Sequence, residues 1–277
     1  MSNDHKQLSI HRETPETWRV SFNHPPINLI DHDTLQELHD LASAIEASEE
    51  LKVVVFDSAD PDFFLAHWDI ASVARPLPAG TAPPSWIDIS LRLARASVVT
   101  IALIRGRARG MGSEIALALD LRFASLERAI FGQPEVGAGL VPGGGAMERL
   151  SVLAGRARAL EIVLGADDFD ASTAERYGWI NRALPDAQLD AFVTGLARRL
   201  ASFDKAALGD AKQAINRRSL PDAEDLVASQ ALFYKGFARS GTKSRVKALM
   251  ERGIGTRSDL EMRFGDHLPT LLSAGQP

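Results

Sequence analysis

Between Leu8 and Glu13, and again from Thr17 to Phe22, apolar and polar side chains alternate about a Thr14-Pro15-Glu16 break, which predicts two short strands joined by a turn. The period then changes. Leu35, Leu38, Leu41, Ala42 and Ile45 recur at helical spacing behind Asp31, a residue suited to an N-cap, and predict a helix over residues 32–48. Val53-Val-Val-Phe56 reads as a buried strand. Pro76, Pro78, Gly80, Pro83 and Pro84 interrupt any pattern and predict an irregular loop, with lid behaviour as its expected role, ahead of a helix near residues 86–96. Val98 to Ile104 is another β-branched, apolar strand, and it leads through a glycine-rich turn into a helical pattern carrying Ile115, Leu117, Ala118 and Leu119. From Gly143 onward the apolar positions are mostly helical, among them Leu150, Leu153, Leu160, Ile162, Leu189, Val193, Leu196 and Leu200. Strands alternating with helices, then helices alone, predict an α/β fold of parallel βαβ turns followed by a helical unit. Leu226, Leu232, Phe233, Phe237 and Leu249 of that unit read as core or subunit-interface packing.

Composition narrows the function classes. The chain has 277 residues, 45% hydrophobic and 24% charged, enough for one large core with an appended helical part. With 36 acidic against 31 basic residues the net charge is -5, so no global basic field attracts a polyanion and nucleic acid is not an expected partner. Cysteine is absent, which excludes disulfides, a thiolate nucleophile and zinc-thiolate sites; no histidine pair has helical metal-ligand spacing, so no metal is expected. The first residues lack the apolar segment of a signal peptide, and no apolar run reaches the roughly 18 residues of a membrane span. A soluble cytoplasmic protein without membrane contact is expected.

The chemistry concentrates in three segments: Gly106-Arg-Ala-Arg-Gly110-Met-Gly-Ser-Glu114, Gly132-Gln-Pro-Glu135 and Val141-Pro-Gly-Gly-Gly145. A glycine-spaced turn entering a helix exposes backbone N–H groups able to hold a developing negative oxygen, and a carboxylate beside it can move a proton. Glu114 falls in the first turn of that helix, at the mouth of an apolar element. The triple glycine lacks the lysine and hydroxyl of a nucleotide-binding P-loop, and Ser113 has no nucleophile-elbow spacing. Arg105-Gly-Arg-Ala-Arg109 is too short, and set in too acidic a chain, to serve as an RNA-binding patch.

These residues resemble the crotonase, or enoyl-CoA hydratase/isomerase, superfamily, whose pattern is close to N-G-x-A-x-G-G-G-x-E, then F-G-x-P-E and P-G-x-G. The matching positions are Gly106, Ala108, Gly110, Gly112 and Glu114, then Phe131, Gly132, Pro134 and Glu135, then Pro142, Gly143 and Gly145. Upstream, Asn28-Leu is similar to the family's N-A-L, and Phe64-Leu-Ala-His-Trp-Asp69 stands where F-S-A-G-A-D is expected; downstream, Ala157-Arg-Ala-Leu160 and the segment Ala174 to Asn181 continue the likeness, which covers roughly residues 8 to 218. The resemblance implies a crotonase-like spiral of ββα units over residues 1–200 and a C-terminal helical trimerisation region over 201–277.

It also implies a reaction: addition of water to a 2-enoyl-CoA thioester through an enolate, with Glu114 activating the water and Glu135 giving the α-proton. The alternatives are a double-bond isomerase, another acyl-CoA enzyme such as a hydrolase or decarboxylase, or a CoA-binding homologue without turnover. By position the backbone N–H groups of Trp68 and Met111 form the oxyanion hole, and Ala66, His67, Asp69, Gly110, Pro134 and Gly143 are expected to contact substrate. No cofactor is implied beyond the coenzyme A of the substrate, and a homotrimer or pair of trimers is expected. Several residues depart from the pattern. His67, Trp68 and Met111 replace small residues, Val99 and Arg105 stand where proline and asparagine are common, and the stretch from Asp120 to Gly132 is one residue longer. His67 reads first as a loop-bracing residue, and the arginines of 105–109 as contacts to the CoA nucleotide phosphates.

Overall fold

A hairpin of β1 (Leu8–Thr14) and β2 (Thr17–Phe22) opens the fold, with Leu8 opposite Phe22. The computed structural model describes residues 7–74 and 84–272; most of the proline-rich stretch read as a lid lies outside them. Helix α1 (His32–Ala47) begins where the sequence indicates. The Asp31 carboxylate accepts from the Thr34 amide at 2.9 Å, and the Thr34 hydroxyl returns a bond from the Asp31 amide at 3.1 Å. This reciprocal cap satisfies donors that a helix start otherwise leaves open. Asp31→Ala should therefore cost about 1 kcal/mol of stability, read by denaturant unfolding.

Three strand-strand-helix units follow: β3 (Val53–Ser58), β4 (Phe63–Leu65) and α2 (Trp86–Arg95); β5 (Val99–Ile104), β6 (Arg107–Arg109) and α3 (Met111–Ala118); β7 (Leu121–Ser125), β8 (Ile130–Gly132) and α4 (Ala146–Leu153). Then come α5 (Arg156–Gly165), β9 (Asp168–Asp170), α6 (Ala171–Tyr177), β10 (Arg182–Leu184) and α7 (Asp186–Ala201). Helices α8 (Lys205–Ser219), α9 (Ala223–Gly236), α10 (Ser240–Glu251), α11 (Asp259–Met262) and α12 (Phe264–His267) follow, with a 3-10 turn Leu268–Thr270 after them. The first strand of each unit enters a six-stranded sheet, β1-β2-β3-β5-β7-β10, parallel except for the hairpin; the second enters a four-stranded sheet, β4-β6-β8-β9. Each unit thus climbs one step of a spiral, the ββα architecture expected.

Burial on both faces explains the unbroken apolar strands. Val53 and Val55 pack with Ile101, Leu103 and Phe123 beneath Leu189, Val193 and Ala197 of α7, whereas Val54 and Phe56 face the main core of α1, α2 and α3. The strands β4, β6, β8 and β9 are not foreseen by periodicity: each is three residues long, too short to carry a pattern. For the same reason β9 and β10 interrupt the stretch that reads as helical after Gly143.

Two glycines set the spacing of the site. A Cβ on Gly106, which has φ +69°, would lie 2.1 Å from the Asp62 carbonyl carbon, and one on Gly112 would lie 2.2 Å from the Leu65 carbonyl oxygen. Helix α3 therefore sits directly on β4. After the turn Leu126–Ala129, β6 and β8 pair without a shift, Arg107 with Ile130 and Arg109 with Gly132.

Candidate active site

The end of β4 and the segment after it are held by Asn28 and Ile30. Asn28, in the left-handed region at φ +55°, sends its amide nitrogen to the carbonyls of Phe63 and Phe64 and to the Ser58 hydroxyl. Trp68 forms a parallel bridge with Ile30: the Ile30 amide donates to the His67 carbonyl at 3.0 Å, and the Asp69 amide donates to the Ile30 carbonyl at 2.8 Å. In such a bridge the N–H of the central residue points away from its partner. Among the described residues the Trp68 amide makes no hydrogen bond, and neither does the amide of Met111. Met111 is the first residue of α3, where donors lack intrahelical partners, and Gly110 before it adopts φ +48° and ψ -127°, a conformation that suits glycine.

Glu114, 2% exposed, lies one turn into α3. Its Oε1 accepts from the amides of Gly144 at 2.7 Å and Ala146 at 3.1 Å, which fixes the side chain against the glycine turn before α4. That turn is held in place by the Trp86 indole, which donates to the Gly144 carbonyl at 2.9 Å, and by Arg149, which reaches the Gly144 and Gly145 carbonyls. Burial pushes Glu114 up to about 7, against the pull of its two amide donors. Glu135 follows the Gly132-Gln-Pro turn. Burial, and then the negative charge of Glu114, hold its carboxyl well above the usual carboxylate range. Its Oε2 is buried with no partner among the described residues, while its Oε1 lies where a Cβ on Gly110 would meet it at 2.9 Å.

Both acids line one cavity of about 250 Å³ with Trp68, Met111, His67, Pro134, Gly143 and Gly144. Ala66, Asp69 and Gly110 do not line it. Ala66 is packed with Ile27 and Phe63, Asp69 caps the amide of Ala71, and Gly110 sits behind Glu135. Much of the remaining wall is aromatic or aliphatic, with Trp86, Phe233, Tyr234, Phe237, Leu249 and Phe264 contributing, and His32, Ser85 and Gln230 add polar groups. Leu226 and Leu249 are core residues, as their spacing indicates, and Leu249 also reaches the cavity wall; Phe233 and Phe237 are half-buried and face the cavity, a role their spacing does not indicate. A helical period reports that a face is covered, not what covers it.

The arginine run also differs from expectation. Arg105 pairs with Asp186 and Asp190, Arg107 donates to the carbonyls of Met262 and Asp62, and buried Arg109 grips Asp168 with two bonds of 2.6 Å. Their charges brace the spiral internally, so no phosphate contact is assigned to them. His67 is buried too. Its Nδ1 meets the Trp68 carbonyl at 2.8 Å and its Nε2 meets Glu261 Oε1 at 2.7 Å, while the ring stacks on Phe264 at 6.0 Å. The loop-bracing role is the one its geometry matches. Nothing in the spacing of the chain points to Glu261, which lies 194 residues from its partner.

Among the described residues no cluster of three histidine or acidic side chains is arranged to hold a metal, and no helix is long and apolar enough to cross a membrane. Residues 16–255 match the family model described as enoyl-CoA hydratase/isomerase. The short-chain-enoyl-CoA hydratase of Clostridium acetobutylicum is 31% identical over 84% of this chain and 90% of its own length. The crotonyl-CoA hydratase of Syntrophomonas wolfei is 28% identical over 82% and 88%. A provisionally named enoyl-CoA hydratase of Streptomyces avermitilis has a crystal structure that superposes with a TM-score of 0.89 at 42% identity, covering 97% of this chain and 98% of that one. With two buried acids and, among the described residues, two unpaired amides at the positions its motifs mark, the chain belongs to the enoyl-CoA hydratase/isomerase family of the crotonase superfamily.

Proposed function

We propose that the protein hydrates 2-enoyl-CoA thioesters. The observation that carries this reading is the pairing of Glu114 and Glu135 in one cavity, both shifted upward so that one can be ionised while the other keeps its proton near neutral pH. Glu114, ionised, takes a proton from water as the water oxygen bonds to C3. The C2–C3 π electrons move toward the thioester, whose carbonyl becomes an enolate oxygen facing the amides of Trp68 and Met111. Collapse of the enolate takes the proton of Glu135 onto C2, and the proton that Glu114 took from water then passes to Glu135, which restores both acids for the next turnover. The donors act because they are already oriented before charge develops. Coenzyme A enters only as part of the substrate, and no further cofactor takes part in these steps.

The names of the relatives from Clostridium and Syntrophomonas support a short 2-enoyl substrate, and crotonyl-CoA is the probe of choice. Loss of enoyl absorbance with formation of a 3-hydroxyacyl product tests the reading; conversion of a 3-enoyl-CoA alone would assign the site to isomerisation. The profile of kcat/KM against pH should be bell-shaped. Activity rises as Glu114 loses its proton near 7 and falls at higher pH as Glu135 loses its own, and because the acids interact, the two limbs belong to the pair. Exposed Val152, Leu153, Leu160 and Leu164 on α4 and α5 support assembly into a trimer or pair of trimers, a state that sedimentation measures.

A further inference from the structure

His67 has two ring nitrogens, and both face oxygen acceptors. The Trp68 carbonyl opposite Nδ1 can only accept. Glu261, 0% exposed, accepts from the Gly255 amide at 2.8 Å through the same Oε1 that meets Nε2, and the positive charge of His67 holds its carboxyl below the usual range against the cost of burial. An ionised carboxylate also only accepts. Each ring nitrogen therefore carries a hydrogen, and His67 is an imidazolium, raised by the charge of Glu261 despite its own burial.

The position of this ion pair matters more than its strength. Trp68 is fixed on both sides: the preceding carbonyl, that of His67, accepts from Ile30, and its own carbonyl accepts from the His67 ring. The ring in turn is held by Glu261, and α11 is seated by Arg109, which donates to the Glu261 carbonyl at 2.6 Å, and by Arg107, which donates to that of Met262 at 3.0 Å. We infer that Glu261 is a positioning residue for catalysis: through the His67 imidazolium, the C-terminal segment fixes the backbone of Trp68 so that its amide meets the thioester oxygen. This rests on the proposed hydration chemistry and its oxyanion hole. It makes the active site incomplete without a residue near the end of the chain.

The charged neighbours set the pH range of the device. Besides Glu261 on α11, His67 faces Arg109 on β6, whose charge Asp168 on β9 takes up, while Glu135 and the His67 Cβ both lie against Gly110. The histidine is raised and the glutamate lowered, so the pair stays charged from below the ordinary glutamate value to above the ordinary histidine value. Once His67 loses its proton at alkaline pH, one of its two ring nitrogens presents a lone pair to an oxygen, so the brace between Glu261 and the Trp68 carbonyl loses one of its two hydrogen bonds.

Glu261→Ala and Glu261→Gln separate this role from simple packing. E261A should lower kcat for crotonyl-CoA hydration about 10- to 100-fold with KM changed far less, because an oxyanion donor out of place weakens the transition state more than the bound substrate. E261Q, whose amide can turn to meet either form of the ring, should restore most of kcat. NMR of the His67 ring should show an imidazolium in the wild type whose deprotonation is accompanied by a fall in kcat, and in E261Q a titration at lower pH that kcat does not follow. Wild-type turnover with E261A kcat unchanged would overturn the inference alone, and absence of hydration by the wild type would overturn it together with the functional reading. If E261A does not fold, E261Q decides: a His67 titration and kcat profile identical to wild type would also overturn it.

Discussion

Glu114→Gln should abolish hydration, with kcat falling by about 10²- to 10⁴-fold while KM for a 2-enoyl-CoA stays close to wild type. The glutamine oxygen can still accept from Gly144 and Ala146, so the cradle and the fold persist; only the group that takes the water proton is lost. Isomerisation of a 3-enoyl-CoA, which needs the enolate but no activated water, should survive through Glu135. A steady-state comparison of both substrates checks this, and normal hydration by the variant would contradict the assignment. Stability should move the other way. The folded-state value of about 7 lies above the ordinary 4.5 of a glutamate, so the stability this group contributes is fully present below its unfolded value and is lost as pH rises through 7. The glutamine variant escapes that loss. Its melting temperature should exceed wild type by about 2–4 °C near pH 8 and converge with it at acidic pH, which calorimetry at two pH values reads directly.

Gly110→Ala carries the other large effect. At φ +48° and ψ -127° the residue occupies a region unfavourable for an L side chain, and the added Cβ would lie 2.9 Å from Glu135 Oε1 and 3.4 Å from the His67 Cβ. Relief of either conflict rotates the peptide that carries the Met111 amide and displaces a proton donor with it. We expect kcat to drop about 10²- to 10³-fold, the cost of losing one oxyanion donor, with about 1–3 kcal/mol of stability lost to backbone strain. Binding of a saturated acyl-CoA should weaken less than turnover. An alanine variant with wild-type kcat would show that the Met111 amide does not serve the reaction.

The repeated ββα climb illustrates where sequence patterns stop. Val53 to Phe56 and Val99 to Ile104 are long enough to announce buried strands, yet β4, β6 and β8, which deliver Trp68, Met111 and Glu135, are three residues each and carry no period. The motif glycines compensate for this. Gly106 and Gly112 are legible because only a residue without a side chain allows the approach of β4 to the turn before β6 and to α3. Phe233 and Phe237 show the opposite case: their helical spacing is plain, but the cavity they face is created by other elements.

Local pattern by itself determined the hairpin, the capped first helix, the alternation of strand and helix, the absence of thiol chemistry, and the two acids set beside glycine turns. Each depends on neighbours within a few residues of chain, so periodicity and conformational preference suffice. Packing alone decided that Glu114 and Glu135 share one desolvated cavity that lifts both, that the three arginines of residues 105–109 brace the interior, and that Glu261 reaches His67 across 194 residues. Desolvation and long-range ion pairing depend on what the fold places around a group, and that information is spread over the whole chain rather than written beside the residue.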